Sequence, residues 1–510
     1  MFNKQLLVLL TSLMLVTACE QQVTEAPSPQ ASPEPVTDLG GMVLPATTSS
    51  DPAREHYMAG WADFENSRFN SAHDKFSAAA TADPSFAIAH LMAALTAAST
   101  EGFVSNLDNA VANAQGATQG EQLLIQAFQQ ALASDQAGQI ATGEELTALH
   151  PDSPRAWLFL GNFYANVNNS SDARAAYGKA IELDPDLVQA RINLGNNLMT
   201  QEPKDLGMAE EQFTKAIAIT PEEPNPVDLL GDLHRSQGNL EAAHADYTKA
   251  AELAPELGSG FQQRGHVNSF MGNYDEARAD YTRSAELETA RGSNAGGFFL
   301  VFRAYVSLHE GDFEAAISEL RELAQSADSM EMEGKIDLKV NALTNVAQIA
   351  THSGNSEAAT EAIAEMATLR RQQAEDVGND QFRDAQEATI CFMEGMLAAR
   401  MGDTEGAAAK AAEFEGHAAS SSSPRKLERM HEILGMSAYH QGDFAAAAEH
   451  LSAGDHLNNM ETKYFLALAN EGAANTDEYQ RLIEELAVWN FNGAGYAMTR
   501  NDILARASAE

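Results

Sequence analysis

The sequence predicts an all-α fold, a solenoid of stacked helical hairpins, and three observations support this prediction. In the middle of the chain a glycine recurs every 34 residues, with one interval of 36 residues. An aromatic residue follows each glycine by 16 or 18 residues. Alanine is abundant and aromatic residues make up only 7% of the chain, as expected for closely packed helices. The glycine and aromatic pairs are Gly161 and Tyr177, Gly195 and Phe213, Gly231 and Tyr247, and Gly265 and Tyr281.

The clearest copy of this pattern runs from Pro154 to Leu187. Its first half places bulky residues along one stripe of a helix. Its second half places Ala173, Tyr177 and Ala180 on one face of another helix. The small residues Gly161 and Ala173 let the two helices approach closely. Each copy therefore predicts one helical hairpin.

This copy resembles the tetratricopeptide repeat, a helix–turn–helix unit of 34 residues. The matching residues are Trp157, Leu160, Gly161, Tyr164, Ala173, Tyr177, Ala180 and Pro185. The resemblance implies that nearly all of these consensus residues serve packing rather than chemistry. It covers most of the chain after Pro52, strongly in residues 154–288 and weakly after Gly296.

Further copies extend the array in both directions. An upstream copy with the same spacing runs from Gly60 to Pro84. Downstream, a glycine followed by aspartate or asparagine recurs before alanine-rich segments, at Gly311, Gly354, Gly402 and Gly442. We expect roughly ten hairpins, with a repeat array over residues 53–290 and degenerate helical repeats over residues 291–510. The apolar segment Val488–Glu510 is expected to cap the last hairpin, because a solenoid end needs a cover.

The amino terminus has the features of a secretory signal peptide over residues 1–18. Its apolar run is shorter than the roughly 20 residues that a bilayer crossing needs. The letters V-T-A-C, which end at Cys19, resemble the lipobox of bacterial lipoproteins. This resemblance implies that Cys19 is acylated and becomes the first residue of the mature chain. The alternative is an ordinary secreted protein with an incidental cysteine.

Residues 19–52 are rich in proline and serine and predict a disordered tether. At about 3.1 Å per residue, some thirty extended residues reach on the order of 100 Å. The residue after Cys19 is Glu20 rather than aspartate, which favours the outer membrane. We therefore expect an envelope lipoprotein that faces the periplasm.

The formal net charge is −41, from 73 acidic and 32 basic residues. This charge disfavours nucleic acid as a partner and permits a basic protein. The alternative is that the charge serves solubility, because it is spread along the whole chain. If Cys19 is acylated, as the resemblance implies, Cys391 is the one cysteine left in the mature chain, so we expect no internal disulfide. We expect Cys391 to be a buried packing residue rather than a nucleophile.

The resemblance also implies a ligand site, because first helices line a concave groove in the tetratricopeptide family. The ninth repeat position, which usually faces that groove, holds Trp61, Asn162, Asn196, Asp232 and His266. Comparison with the carboxylate-binding repeats of the family adds Asn193, but the cation positions there hold Leu158, Asn225 and Leu229. The site therefore lacks the cations that a terminal carboxylate needs. Amides can hydrogen bond an extended peptide, and an indole can pack on an apolar group.

Two readings of function follow from these residues. No catalytic, phosphate-loop or metal-binding motif is present, so we expect no enzyme activity, no cofactor and no metal. The expected function is a membrane-anchored scaffold that binds a protein or peptide in the groove and supports assembly of an envelope complex. The competing hypothesis places a small-ligand or enzymatic site in the divergent carboxy-terminal half. A further alternative is that the predicted groove residues simply face solvent.

Overall fold

The chain folds into helices throughout the part that its computed structural model describes. The described residues are 44, 46–65, 68–97, 100–132, 135–291, 295–330, 334–378, 380–419, 421 and 425–509. Within these ranges there are 25 α-helices and no β-strand, which confirms the predicted fold class. The predicted signal peptide 1–18, Cys19 and most of the predicted tether 19–52 lie outside the described residues.

Two compact units divide the chain, and the first ends at Leu233. It contains ten complete helices and most of an eleventh. These helices are α1 (Asp51–Glu65), α2 (Phe69–Ala82), α3 (Ala87–Leu95), α4 (Thr100–Asn113), α5 (Gln119–Leu132), α6 (Gln136–Leu149), α7 (Pro154–Asn166), α8 (Ser170–Leu183), α9 (Val188–Thr200), α10 (Leu206–Ile219) and α11 (Pro224–Ser236). The boundary therefore falls within α11.

The second unit begins at His234. It contains the end of α11 and fourteen further helices. These are α12 (Leu240–Leu253), α13 (Gly258–Met271), α14 (Tyr274–Ala290), α15 (Ala295–Glu310), α16 (Phe313–Ser326), α17 (Lys335–Ser353), α18 (Ser356–Val377), α19 (Asp380–Arg400), α20 (Thr404–Ala418), α21 (Glu428–His440), α22 (Phe444–Ala453), α23 (Met460–Gly472), α24 (Thr476–Ala487) and α25 (Ala494–Ala507). The division predicted at residues 290 and 291 concerned the strength of the repeat signature, and it stays a prediction.

Successive helices pack in pairs within each unit. In the first unit the pairs run from α1 with α2 to α9 with α10, and in the second from α13 with α14 to α23 with α24. The described residues thus hold eleven packed hairpins, close to the predicted ten. The one interval of 36 residues has a longer turn between Thr200 and Leu206, so the extra length leaves α9 and α10 intact.

The recurring position requires glycine because an aromatic ring of the next helix lies directly against it. A β-carbon at Gly161 would lie 2.5 Å from the Tyr177 ring, and one at Gly195 would lie 2.6 Å from the Phe213 ring. Both distances are far below van der Waals contact. The glycine and aromatic pair therefore sets the spacing between the two helices of a hairpin, as the sequence pattern predicts.

The downstream glycine–aspartate pairs recur for a different reason, which is the geometry of the turn between two helices. Gly311 and Gly402 adopt φ values of +82° and +77°, a left-handed conformation that favours glycine and ends the first helix. The following Asp312 and Asp403 cap the second helix, each accepting a backbone N–H bond of 2.9 Å. Turn chemistry thus keeps the hairpins recognisable after the packing consensus has faded.

An aromatic core joins early and later hairpins of the first unit. The Trp61 ring of α1 lies edge-on to Tyr57, Phe76 and Phe159, with centroids 6.2–6.3 Å apart. Because Phe159 belongs to α7, the first helices of two separated hairpins pack directly on each other. An ion pair between Arg155 and Glu65 closes the same contact.

Residues just before α1 pack on the first unit, although the sequence predicted a disordered tether up to residue 52. The side chains of Leu44, Ala46 and Thr48 are buried. The Thr47 amide and hydroxyl donate to the two oxygens of Glu121 over 2.9 and 2.6 Å. The tether prediction is therefore wrong for residues 44 and 46–50, because apolar side chains and hydrogen-bonded threonines hold this segment against the helices.

The last helix of the second unit contacts more than the last hairpin. Helix α25 packs against α24 and α23, but also against α15 and α17. Its buried residues Ala497 and Met498 join the core of α15 to α19, while Tyr496 and Ile503 join the core of α19 to α24. The predicted cap therefore also packs inside the unit, where it contacts both of these cores.

Candidate functional site

Three of the predicted site residues lie together on α7 and α9. The Asn162 side-chain oxygen accepts one hydrogen bond of 2.9 Å from the Tyr177 hydroxyl and another of 2.8 Å from the Asn193 amide. Gln189 donates in turn to the Asn193 oxygen over 2.8 Å. We call Gln189, Asn193, Asn162 and Tyr177 the amide ladder. It spans two successive hairpins and fixes the orientation of each amide.

Asn196 extends this surface by one step along α9. It lies three residues after Asn193 and therefore on the same side of the helix. Its side chain is half-buried, and it forms no hydrogen bond with the described residues. Asn162 and Asn193 are also half-buried, so both residues are partly accessible at a packed surface. The ladder and Asn196 together offer oriented donors and acceptors.

Trp61 does not belong to this surface, and the prediction that it faces a groove is wrong. Its side chain is 1% exposed and surrounded by aromatic rings. The Arg155 guanidinium lies over its outer face, 4.6 Å from the ring centroid. The reason is the contact between α1 and α7, which covers the face that the repeat pattern alone leaves open.

Asp232 and His266 are also buried rather than exposed to solvent. The Tyr281 hydroxyl donates to His266 Nδ1 over 2.7 Å, and the Asn492 amide donates to that hydroxyl over 3.1 Å. Burial, with Arg235 and His309 nearby, holds the pKa of His266 well below its usual value. A neutral imidazole therefore accepts the bond from the Tyr281 hydroxyl, and Asn492 of the carboxy-terminal segment lies against both residues.

That segment runs from Val488 to Gly493, and we call it the latch. Asn490 donates to the Arg235 carbonyl over 3.3 Å, and the Phe491 ring lies 4.7 Å from the Arg235 guanidinium. The Asn492 oxygen accepts from His309 Nε2 over 3.2 Å. Burial and the nearby Arg500 charge lower the pKa of His309 to about 4 despite this hydrogen bond.

A second polar cluster is buried where α17, α19 and α23 meet. Glu461 accepts from Arg400 over 2.6 Å, from His352 over 2.7 Å and from Gln348 over 3.0 Å. Burial alone would raise the pKa of Glu461, but Arg400, His352 and Gln348 hold it down to about 2. Every charged group of the cluster has a partner, so the arrangement joins helices and leaves no reactive group open to a substrate.

Cys391 is buried as predicted, at 4% exposure. Burial raises the pKa of its thiol to about 11, so the thiolate is scarce at neutral pH and the residue is a poor nucleophile. No three histidine, cysteine, aspartate or glutamate side chains converge as a metal site in the part of the chain that the structure covers. In that same part, no helix combines the length and apolar character of a bilayer-spanning segment.

Sequence reasoning missed the partners of several predicted residues. Gln189 could have been found, since it lies four residues before Asn193 on the same helix face. Asn492 and the Arg400–Glu461 pair had no such signal. Asn492 lies 226 residues from His266, and Arg400 lies 61 residues from Glu461.

Comparison with known proteins identifies the repeats themselves. The profile of the tetratricopeptide repeat matches residues 154–187, 228–257 and 259–290, and a second profile of the same repeat matches residues 392–456. The stretch between the first two matches contains the lengthened turn after α9. A search of curated proteins finds no match.

Several solved structures are similar to part of the chain. A tetratricopeptide repeat protein from Parabacteroides merdae is 15% identical, over 49% of this chain and 93% of that one, with a TM-score of 0.37. PilW, described as a widely conserved type IV pilus biogenesis factor, is 18% identical over 42% of this chain and 96% of its own, with a TM-score of 0.35. YrrB, described as having an unusual peptide-binding site, is 20% identical over 36% and 91%, with a TM-score of 0.28.

Proposed function

We propose that this chain, which contains tetratricopeptide repeats, is a scaffold that binds a protein or peptide partner on the amide surface of α7 and α9. The observation that carries the proposal is the amide ladder with Asn196 beside it. An extended peptide presents alternating N–H and C=O groups, and side-chain amides match both. Each amide of the ladder is already held in place, so little side-chain freedom is lost on binding.

The net charge of −41 adds a preference to this proposal. A basic partner would be drawn to the chain by its overall field, and an acidic one would be repelled. Because binding through neutral amides is less sensitive to salt than binding through ion pairs, salt should slow association more than it speeds dissociation. No observation in the described residues favours the competing hypothesis of an enzymatic or small-ligand site after residue 291.

A photo-crosslinking amino acid at position 196 is expected to trap the partner in cells, while the same probe at position 109 is not. Asn109 is the matched control, because it is an exposed asparagine on the second helix of its hairpin. Once the trapped protein is purified, Asn193→Ala with Asn196→Ala is expected to weaken its binding about tenfold, or about 1.4 kcal/mol, by calorimetry.

The same double variant should keep its fold, because the Asn196 side chain has no hydrogen-bond partner among the described residues and the bond from Tyr177 to Asn162 remains. We expect its thermal midpoint to stay within a few degrees of the unchanged protein. Equal affinity of the double variant and the unchanged chain would exclude this surface as the site.

We further propose that the scaffold is attached to the bacterial envelope through a lipid on Cys19 and supports assembly of an envelope complex. The support is the lipobox-like sequence that ends at Cys19. Cys19→Ser is expected to move the protein from the membrane fraction to the soluble fraction and to abolish labelling by a radioactive fatty acid. Membrane recovery that does not change with the substitution would refute a lipid anchor at this residue.

A further inference from the structure

The latch differs from the two helices that it connects. Leu486 at the end of α24 and Tyr496 at the start of α25 are 0% and 1% exposed, so both flanking helices are anchored in the core. Between them, Val488 is 61% exposed and Phe491 is 36% exposed. Asn490, between these two residues, is only 5% exposed, so the latch is a loop held to the surface by its asparagines and exposed at Val488 and Phe491.

The surface beneath the latch is polar and structured. The Arg235 guanidinium lies between the Tyr247 and Phe491 rings, with centroids 5.6 and 4.7 Å away. Arg235 also donates to Gln263 over 3.0 Å, which keeps the guanidinium in position. Farther along, Tyr281, His266 and His309 form the end that holds Asn492.

The contacts of Asn492 require both functions of a side-chain amide. Its oxygen accepts from His309, and its nitrogen donates to the Tyr281 hydroxyl. A leucine of similar size can make neither bond, and it would leave buried polar atoms without partners. One position before it, the Phe491 ring is recognised by a cation. The surface thus binds an aromatic residue that is followed directly by an asparagine.

We propose that Arg235, Gln263, His266, Tyr281 and His309 form a second peptide-binding site, which the latch keeps closed. The external ligand is an extended protein segment in which an aromatic residue directly precedes an asparagine, as Phe491 precedes Asn492. The latch is a tethered copy of that ligand, and a tether of this length acts at an effective concentration of about millimolar. This inference concerns the second unit and does not rest on the amide ladder of the first.

The test uses a fluorescent peptide with the sequence of residues 487–494 and the full chain carrying Cys19→Ser. Against the chain with an intact latch, the peptide is expected to bind weakly, because the latch competes for the site. Against Asn492→Ala, whose latch has lost its amide, it is expected to bind at least about tenfold more tightly by fluorescence anisotropy. A peptide in which the asparagine corresponding to Asn492 is replaced by leucine should bind the Asn492→Ala variant no more tightly than it binds the chain with an intact latch.

Two checks keep the result interpretable. Phe491→Ala is a second way to weaken the latch, and it should admit the peptide even if Asn492→Ala folds poorly. Thermal melts of both variants show whether each is folded. Failure of a folded variant to bind the peptide, or equal binding of the leucine peptide, would overturn the proposal. If either variant forms dimers in light scattering and the leucine peptide separates them, the asparagine is not needed for binding. That result would also overturn the proposal.

Discussion

Replacing Trp61 by alanine is expected to destabilise the first unit by about 3–5 kcal/mol, the usual loss for a large buried aromatic side chain. Trp61 is 1% exposed and lies against aromatic rings of α1, α2 and α7. Its removal leaves a cavity where separated hairpins meet. It also removes the ring beneath the Arg155 guanidinium. Urea unfolding followed by circular dichroism at 222 nm measures the loss.

Trp157→Ala is the matched control for this experiment. Trp157 is a consensus residue of the clearest repeat, but it is only half-buried, and its indole nitrogen bonds to the Pro151 carbonyl. We expect Trp157→Ala to lower the free energy of unfolding clearly less than Trp61→Ala does. Equal losses for the two variants would contradict the central role given to the contact between α1 and α7.

Replacing Arg400 by leucine is expected to lower the free energy of unfolding of the second unit by about 3–5 kcal/mol, because it leaves Glu461 buried without its cation. The two side chains are 8% and 7% exposed, so solvent does little to screen the loss. Adding Glu461→Gln to this variant removes the unpaired charge and should recover part of the stability. Denaturant unfolding of the single and double variants measures both effects.

Arg371→Leu serves as the control, because its pair with Glu387 is formed by an arginine that is 54% exposed. A pair of this kind contributes about 1 kcal/mol at most. If Arg400→Leu cost no more than Arg371→Leu, the buried cluster would not hold its helices together.

The same pair predicts a dependence on pH. The pKa of Glu461 is held at about 2 in the folded chain, below its usual value of 4.5. The folded state therefore binds fewer protons than the unfolded state between these values. The stability contributed by Glu461 is fully present above pH 4.5 and is lost as the pH falls towards 2. The stability difference between the unchanged chain and Arg400→Leu should narrow over the same interval.

The sequence predicts hairpins well because each one depends on residues close together in the chain. The ring of Tyr177 against Gly161, and the capping of α16 by Asp312, follow from spacing within one repeat. The hydrogen bond between Asn162 and Asn193 depends on more than one repeat, because it forms only when successive repeats stack. Both asparagines were predicted, but their contact was not.

Contacts between separated repeats were beyond prediction, because no local period encodes them. Trp61 occupies a position that usually faces a groove, yet it meets Phe159 from a later hairpin. His266 occupies the same position, yet Asn492 covers it from the end of the chain. In both cases the repeat pattern located the side chain on its helix correctly, and a distant segment decided its exposure.

The binding of Thr47 to Glu121 has a mechanical consequence. The Glu121 carboxylate accepts from the backbone and hydroxyl of both Thr47 and Thr118, so one side chain at the start of α5 receives four bonds. When the amino terminus is pulled, tension enters α5 through Thr47 before it reaches the first turn of α1. To pull the segment away, both bonds from Thr47 to Glu121 must break, whereas the two bonds from Thr118 lie within the same turn and can remain. A pull on the amino terminus must therefore break the contact of Thr47 with α5 before it can unfold the first turn of α1.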